Sequence, residues 1–259
     1  MKPVYDQIGK GYSKCRCADR RIVRQLVQIL DLSLPAIIAD IGAGTGNYGR
    51  ALADLGFKIE AVEPSDTMRQ QAVPHKNVHW HSGTAEQIPL PDHSVDAVVC
   101  VLAVHHFTSL PNAILEMNRI CKKGPIVWLT FDPREADTLW LADYFPMICD
   151  DAFAVFPGIA SISHDITALT FRKVSIQPFM VPHDLEDCFM AVGWRRPDMY
   201  LDPEVRACIS AFALADPVVV QQGLLQLRRD IETNVWKTKY SALTRQETID
   251  WGYRFLKII

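Results

Sequence analysis

The chain has 259 residues, of which 49% are apolar, enough to bury a sizeable core in one α/β domain with decoration or in one and a half domains. Its formal net charge of −3 gives no global attraction to nucleic acid or to an anionic membrane surface. Its longest apolar run, Ala97 to Val104, suits a buried strand and its continuation, far short of a membrane span of about 20 residues.

Met1 to Ser33 precede the first strand. Val4, Ile8 and Tyr12 fall at helical spacing, and Ile22, Val23, Leu26, Val27, Ile29 and Leu30 form a stronger apolar stripe with Asp19 as its expected N-cap. The opening residues lack the basic, apolar, small-residue order of a secretory signal, and the seven cysteines are scattered. The cytoplasm is therefore the expected compartment. No cysteine spacing matches a zinc site, so no metal is expected.

Ile37-Ile38-Ala39-Asp40-Ile41-Gly42-Ala43-Gly44-Thr45-Gly46-Asn47-Tyr48 organises the rest. A short apolar run ends in an acid, passes through three alternate glycines and re-emerges as a helical pattern at Tyr48, Ala51, Leu52 and Leu55. Strand, glycine turn and helix open a nucleotide-binding α/β unit, whose glycines let the backbone approach a ligand closely. A pyrophosphate site wants G-x-G-x-x-G, whereas the spacing here is G-x-G-x-G with Asp40 before it. An acid there repels a pyrophosphate and suits a ligand carrying an ammonium group, such as S-adenosylmethionine (SAM). The next strand, Lys58 to Glu63, ends in an acid that suits ribose hydroxyls in either ligand class.

Strands are expected at Ile37–Ile41, Ile59–Val62, Val78–His81, Val95–Val101 and Ile126–Phe131, with a helix after each of the first four, the rhythm of a parallel sheet with right-handed crossovers. After Asp132-Pro133 an aromatic-rich stretch, Thr138 to Phe153, reads as helical until Phe156-Pro157-Gly158. Val174 to Phe179 reads as a sixth strand. Helical segments follow near Leu185–Val192, Pro203–Ala215, Val218–Thr233 and Arg245–Thr248, and Trp251 to Ile259 closes the sheet.

Five stretches, in order, resemble the class I SAM-dependent methyltransferases, particularly the small-molecule type related to ubiquinone and menaquinone biosynthesis. They are Ala39 to Gly46, Val62-Glu63-Pro64-Ser65-Asp66-Thr67-Met68, Gly83 to Asp92 followed by Ser94 to Val99, Leu102 to Phe107, and Ile114 to Ile120. The resemblance covers roughly residues 36 to 133. It implies an α/β fold: a Rossmann-like seven-stranded, mostly parallel sheet with helices on both faces and an antiparallel last strand. Residues 1–183 and 249–259 would form that domain, with the N-terminal helices over the cofactor and a helical cap, 184–248, inserted between the last two strands. Two departures stand out. Thr84 replaces a frequent acid, and Lys123-Gly124-Pro125 replaces the usual Pro-Gly-Gly turn.

The resemblance assigns Asp40, Gly42, Ala43, Gly44 and Gly46 to the methionine part of SAM, with the backbone at Val101 and Leu102 lining it. Glu63 and Pro64 go to the ribose side, and Met68, Thr84, Ala85 and Glu86 to the adenine. Tyr12 of the N-terminal segment would close on the cofactor. Methyl transfer from a sulfonium needs alignment and exclusion of water, and a base only when the nucleophile must lose a proton. His105-His106, beyond the fourth strand, is the candidate base. Trp140, Tyr144, Arg195 and Arg196 are candidate acceptor contacts, the aromatics as a wall and the arginines as an anion anchor. The expected activity is transfer of a methyl group from SAM, leaving S-adenosylhomocysteine, to a small-molecule acceptor, by a monomer or homodimer without nucleic-acid or membrane partners. An NAD(P)-dependent oxidoreductase and a SAM-binding protein without catalysis are the alternatives.

Overall fold

The computed structural model of the protein describes residues 5–9, 11–137 and 139–259. Val4 and Thr138, which the sequence reading places in helices, lie outside them. Among these residues seven strands form one sheet: β1 Ile37–Ile41, β2 Lys58–Val62, β3 Val78–His81, β4 Ala97–Val101, β5 Ile126–Ala136, β6 Val174–Pro182 and β7 Thr248–Ile258. Their spatial order is β3-β2-β1-β4-β5-β7-β6. The first five run parallel, and β7 lies antiparallel between β5 and β6. The strand order reverses between β1 and β4, so a ligand is expected beyond the carboxyl ends of those two strands.

Among the described residues four helices precede β3: α1 Tyr5–Ile8, α2 Arg20–Leu30, α3 Asn47–Asp54 and α4 Asp66–Arg69. In α2 the apolar stripe is buried, and Asp19 caps it by accepting the Arg21 N–H at 2.8 Å, as the sequence predicts. Three more, α5 Leu110–Ile120, α6 Pro146–Val155 and α7 Ile159–Thr170, flank the later strands. The remaining four lie between β6 and β7: α8 Pro203–Ala207, α9 Ser210–Leu214, α10 Pro217–Glu232 and α11 Val235–Lys239.

One sheet face packs Ile41, Val98, Trp128 and Leu256 against α5 and α7. The other face packs Ile38, Leu129, Phe131 and Phe255 against α2, α3 and α6, and this core continues into residues 183–247 through Trp194, Tyr200 and Trp236.

The structure corrects the sequence reading in several places. Among the described residues no helix joins β3 to β4. Gly83 instead approaches Pro89 so closely that a Cβ would lie 2.5 Å from its ring, and Thr84 bridges to Gln87. Leu185–Val192 is a run of turns, because tertiary hydrogen bonds claim its backbone: Glu186 N–H donates to Asp19, and the carbonyls of Leu185 and Val192 accept from Arg196. β4 begins at Ala97 rather than Val95, while β5 runs on to Ala136 against β7. Thr248 belongs to β7, so the segment between β6 and β7 spans 183–247. Pro146–Thr170 is by length and composition apolar enough to cross a membrane. It breaks at Phe156-Pro157-Gly158 into α6 and α7, of 10 and 12 residues, each shorter than a span of about 20.

Candidate active site

The glycine turn leaves β1 with three residues at positive φ: Gly42 (71°), Gly44 (59°) and Gly46 (78°). Two are fixed by the protein's own packing. A Cβ on Gly42 would lie 2.5 Å from the Ala103 methyl, and one on Gly46 would lie 2.6 Å from the Trp80 ring. Gly44 differs, because its Cβ would meet nothing nearer than Met68 Cε at 3.4 Å. Its side of the turn is therefore covered only by the end of a flexible methionine side chain. Gly42 and Ala43 both donate to Val62 O, which ties the turn to the end of β2.

Two buried carboxylates flank this turn. Glu63 accepts the Gly44 N–H through one oxygen and the Ser65 N–H through the other, both at 2.9 Å, so the acid after β2 is oriented by the loop it faces. Each oxygen keeps a second acceptor lone pair. Burial pushes its pKa up, against those two backbone donors. Asp40 lies beneath the turn, where the missing side chain of Gly49 admits it to the first turn of α3, and it accepts the Gly49 N–H. Burial pushes its carboxyl up to about 7, with Glu63 contributing in the same direction.

Beyond β4 the chain turns through Leu102, held at φ 54°, a conformation that costs a leucine of order 1–3 kcal/mol and that sequence gives no sign of. Its N–H donates to Leu129 O at 2.8 Å, which holds the turn in place. A 3-10 turn, Val104–His106, then sets the two histidine rings 3.8 Å apart between centroids. His105 also stacks on Phe156, at 4.4 Å, and its enclosed Nδ1 finds no partner among the described residues. His106 Nε2 shares a 3.1 Å hydrogen bond with the Tyr5 hydroxyl. Burial, helped by the positive charge of Arg16, brings His106 down to about 4 and His105 well below its usual value. Both imidazoles are neutral at pH 7.

The N-terminal segment packs against the histidine turn and the residues around α4. Asp6 accepts the Ser65 hydroxyl at 2.6 Å, Gln71 donates to Gly9 O at 2.7 Å, and Tyr5 packs edge-on to Tyr12. Arg16 then pairs with Asp187 of the insertion, with side chains 12% and 1% exposed, and bonds the Tyr12 hydroxyl. Asp187 Oδ2 also accepts from Tyr48 at the start of α3, at 3.0 Å. The Arg16–Asp187–Tyr48 knot thus joins three chain segments at the site's edge. Of the three residues, sequence marks only Tyr48, as the first apolar position of the helix after the glycine turn.

Other predicted residues are spent elsewhere. Glu86 Oε1 accepts the N–H groups of Thr108 and Ser109 at 2.6 and 3.2 Å, fastening the Thr84–Ala85 turn to the start of α5. Ala85 is buried and Thr84 exposed, while Met68 packs between Gly44 and Gly9. Trp140 lies in an aromatic cluster with Tyr144, Trp236 and Trp251 and donates to Trp194 O at 2.8 Å. The Tyr144 hydroxyl donates to Asp230 at 2.8 Å. Arg195 holds Gln246 O and Glu247, and Arg196 clamps two backbone carbonyls. These four stabilise the insertion, and the structure does not bring them to the histidine pair.

A family model described as a methyltransferase domain matches residues 39–129, from within β1 to within β5. A solved structure described as a methyltransferase from an antibiotic biosynthesis pathway of Anabaena variabilis is 47% identical, covers 95% of this chain and 99% of its own, and superposes with a TM-score of 0.92. The chain belongs to the class I SAM-dependent methyltransferases. An uncharacterized methyltransferase of Mycobacterium bovis is 30% identical over 166 residues, 62% of this chain and 67% of its own length. The ubiquinone/menaquinone biosynthesis C-methyltransferase of Rubrivivax gelatinosus is also 30% identical, over 55% of this chain and 56% of its own length, so the chain matches little more than half of that relative.

The cofactor of this methyltransferase is SAM, and the residues present fit it. Gly44 faces only the mobile end of the Met68 side chain, beside a turn flanked by two carboxylates. Arg16, the cation that acts on the histidines, is paired with Asp187. Such a cradle suits an ammonium, a sulfonium and ribose hydroxyls and disfavours phosphate.

Proposed function

We propose that the protein transfers the SAM methyl group to a small-molecule acceptor by direct in-line displacement, in a closed space roofed by its N-terminal segment and by the insertion acting as a cap. The observation that carries this reading is the convergence, at the carboxyl ends of β1, β2 and β4, of the Gly44 turn, the oriented Glu63 carboxylate and a neutral histidine pair. SAM bound there supplies an electrophilic methyl on a sulfonium leaving group. Gly42, Ala43, Gly44 and Gly46 hold the amino-acid end by backbone contact, over the buried negative charge of Asp40, and Val101 and Leu102 line it. Glu63, beside Pro64, accepts from the ribose, and Met68, Thr84 and Ala85 border the adenine. Glu86 acts at one remove, by fixing that turn. His106, neutral at pH 7, takes the acceptor's proton once Tyr5 yields its hydrogen bond, and His105 backs it by stacking. Tyr5 and Tyr12 exclude water. The seven free cysteines support a reducing, cytoplasmic setting.

Calorimetric titration with SAM, S-adenosylhomocysteine and NADH tests the cofactor assignment. Binding of the first two at micromolar concentration without the third is the expected result. The reverse pattern overturns it. Methyl transfer to an acceptor panel then separates an enzyme from a protein that only binds SAM.

A further inference from the structure

The N-terminal segment and the insertion meet at a seam of thiols that the proposed chemistry leaves unused. Cys15 and Cys17 lie on the segment, Cys188 on the turns that cross it, and Cys208 at the C-terminal end of α8. Two contacts across the seam are reciprocal. Cys15 Sγ donates to Glu204 O at 3.4 Å, a carbonyl one helical turn before Cys208. Cys208 Sγ donates to Tyr12 O at 3.6 Å, three residues before Cys15. The crossing sets the two thiols against each other, within interaction distance of one another. Cys188 contributes its backbone N–H to Cys15 O at 3.3 Å, which holds the crossing in place while the Cys15 sulfur faces α8.

We propose that Cys15 and Cys208 are a redox pair that a hydroperoxide converts to a disulfide, tying the N-terminal segment shut over the cofactor site. Cys15, half-exposed, attacks the distal peroxide oxygen, forming a sulfenic acid and releasing the alcohol, or water from hydrogen peroxide. The Cys208 sulfur then displaces the hydroxyl, so the S–S bond forms and a water leaves with the second thiol proton. Two thiols lose two electrons and the peroxide gains them. Cys208 is buried and Cys15 is not, which leaves the first attack to Cys15.

The consequence follows from where the segment is already fastened. Upstream, Asp6 and Gly9 are tied to Ser65 and Gln71 beside the adenine-side helix α4, by hydrogen bonds that break and reform. A covalent tie at residue 15 adds a link that does not reopen until a thiol reduces it. Cofactor exchange, which needs the segment to lift, then slows in both directions. This consequence rests on the proposed cofactor site; the thiol pairing itself does not.

The test treats the full chain with hydrogen peroxide. The expected products are a loss of about 2 Da in intact mass and a non-reducing peptide map joining Cys15 to Cys208, with cleavage after Arg16 separating Cys15 from Cys17. In the oxidised protein, exchange of S-adenosylhomocysteine followed by tryptophan fluorescence slows about tenfold or more, as does trypsin cleavage at the exposed Arg20, and dithiothreitol restores both. Cys208→Ser and Cys15→Ser, which keep a hydroxyl in place of each thiol, behave like the reduced protein before and after peroxide. A disulfide joining other cysteines, no disulfide at all, or a Cys15–Cys208 link that leaves exchange and cleavage unchanged overturns the proposal. If the reduced protein binds no S-adenosylhomocysteine, the cofactor assignment fails, and mass, map and cleavage still judge the thiol pair.

Discussion

Replacing Asp40 by asparagine should stabilise the empty protein at neutral pH while weakening its hold on SAM. The asparagine side chain still offers a carbonyl oxygen to the Gly49 N–H but never ionises. The wild-type carboxyl moves from an ordinary value of 3.8 to about 7 on burial. The folded protein thus binds the Asp40 proton more tightly than the unfolded chain does. Stability from this group is greatest below pH 3.8 and is lost as pH rises towards and through 7. The full shift corresponds to about 4 kcal/mol, and the part falling between pH 5 and pH 8 to about 2–3 kcal/mol. Urea unfolding of both proteins, without ligand, at those two pH values reads this directly: the advantage of Asp40→Asn should widen by that amount at the higher pH. Calorimetry should show SAM affinity falling by about 1–3 kcal/mol, because the charge opposite the cofactor's ammonium is gone. Titrations near pH 7 in buffers of different ionisation enthalpy should show wild-type protein releasing protons on binding SAM, and Asp40→Asn releasing fewer. A stability difference that is the same at both pH values, or that shrinks as pH rises, refutes the burial argument. Unchanged affinity refutes the role in binding.

Glu63→Ala removes the acceptor of two backbone N–H groups as well as the ribose contact, so SAM affinity should drop by about 1–3 kcal/mol in calorimetry. Unchanged affinity in this variant and in Asp40→Ala would sink the cofactor assignment. His106→Ala should leave SAM affinity nearly intact and lower kcat about 10²–10⁴-fold with an acceptor that loses a proton. Because burial brings His106 to about 4, its ionisation should not shape the rate between pH 6 and 8; a large loss of binding would make it a cofactor wall instead. Asp187→Ala strands the Arg16 guanidinium in the interior and should destabilise by about 3–5 kcal/mol in urea, unless the N-terminal segment lifts to rehydrate it. Limited proteolysis tells these apart, and a variant as stable and as protease-resistant as wild type refutes the knot.

What the sequence disclosed was local. Asp19 as a cap and the alternate glycines before α3 depend on a few neighbouring residues, so their signals survive without tertiary context. The sheet was legible because each strand's apolar run is short and continuous, and the motif residues sit at strand ends. The Arg16–Asp187–Tyr48 knot was not, because its partners lie 171 and 139 residues apart in sequence, and the helical pattern that includes Tyr48 marks a helix and not the partner its hydroxyl meets. Leu102 looks like any strand residue until its backbone is seen at positive φ. Trp140 and Tyr144 show why composition alone misleads: an aromatic run reads equally well as a ligand wall or as a core, and here tertiary packing chose the core. Arg195 and Arg196 likewise answer backbone carbonyls that no sequence pattern announces.

The core that passes unbroken from the sheet into residues 183–247 restricts how such a protein can diversify. Exchanging those residues for a relative's would transplant half of an interface whose other half, with Phe131, Tyr253 and Phe255, stays behind on the strands. Mismatched halves leave cavities or clashes, each costing a few kcal/mol against a total stability of about 5–15 kcal/mol. Such a protein therefore diversifies in small steps, at single side chains such as Tyr5, His105 and Phe156 around the histidine pair, rather than by exchange of residues 183–247 as a block.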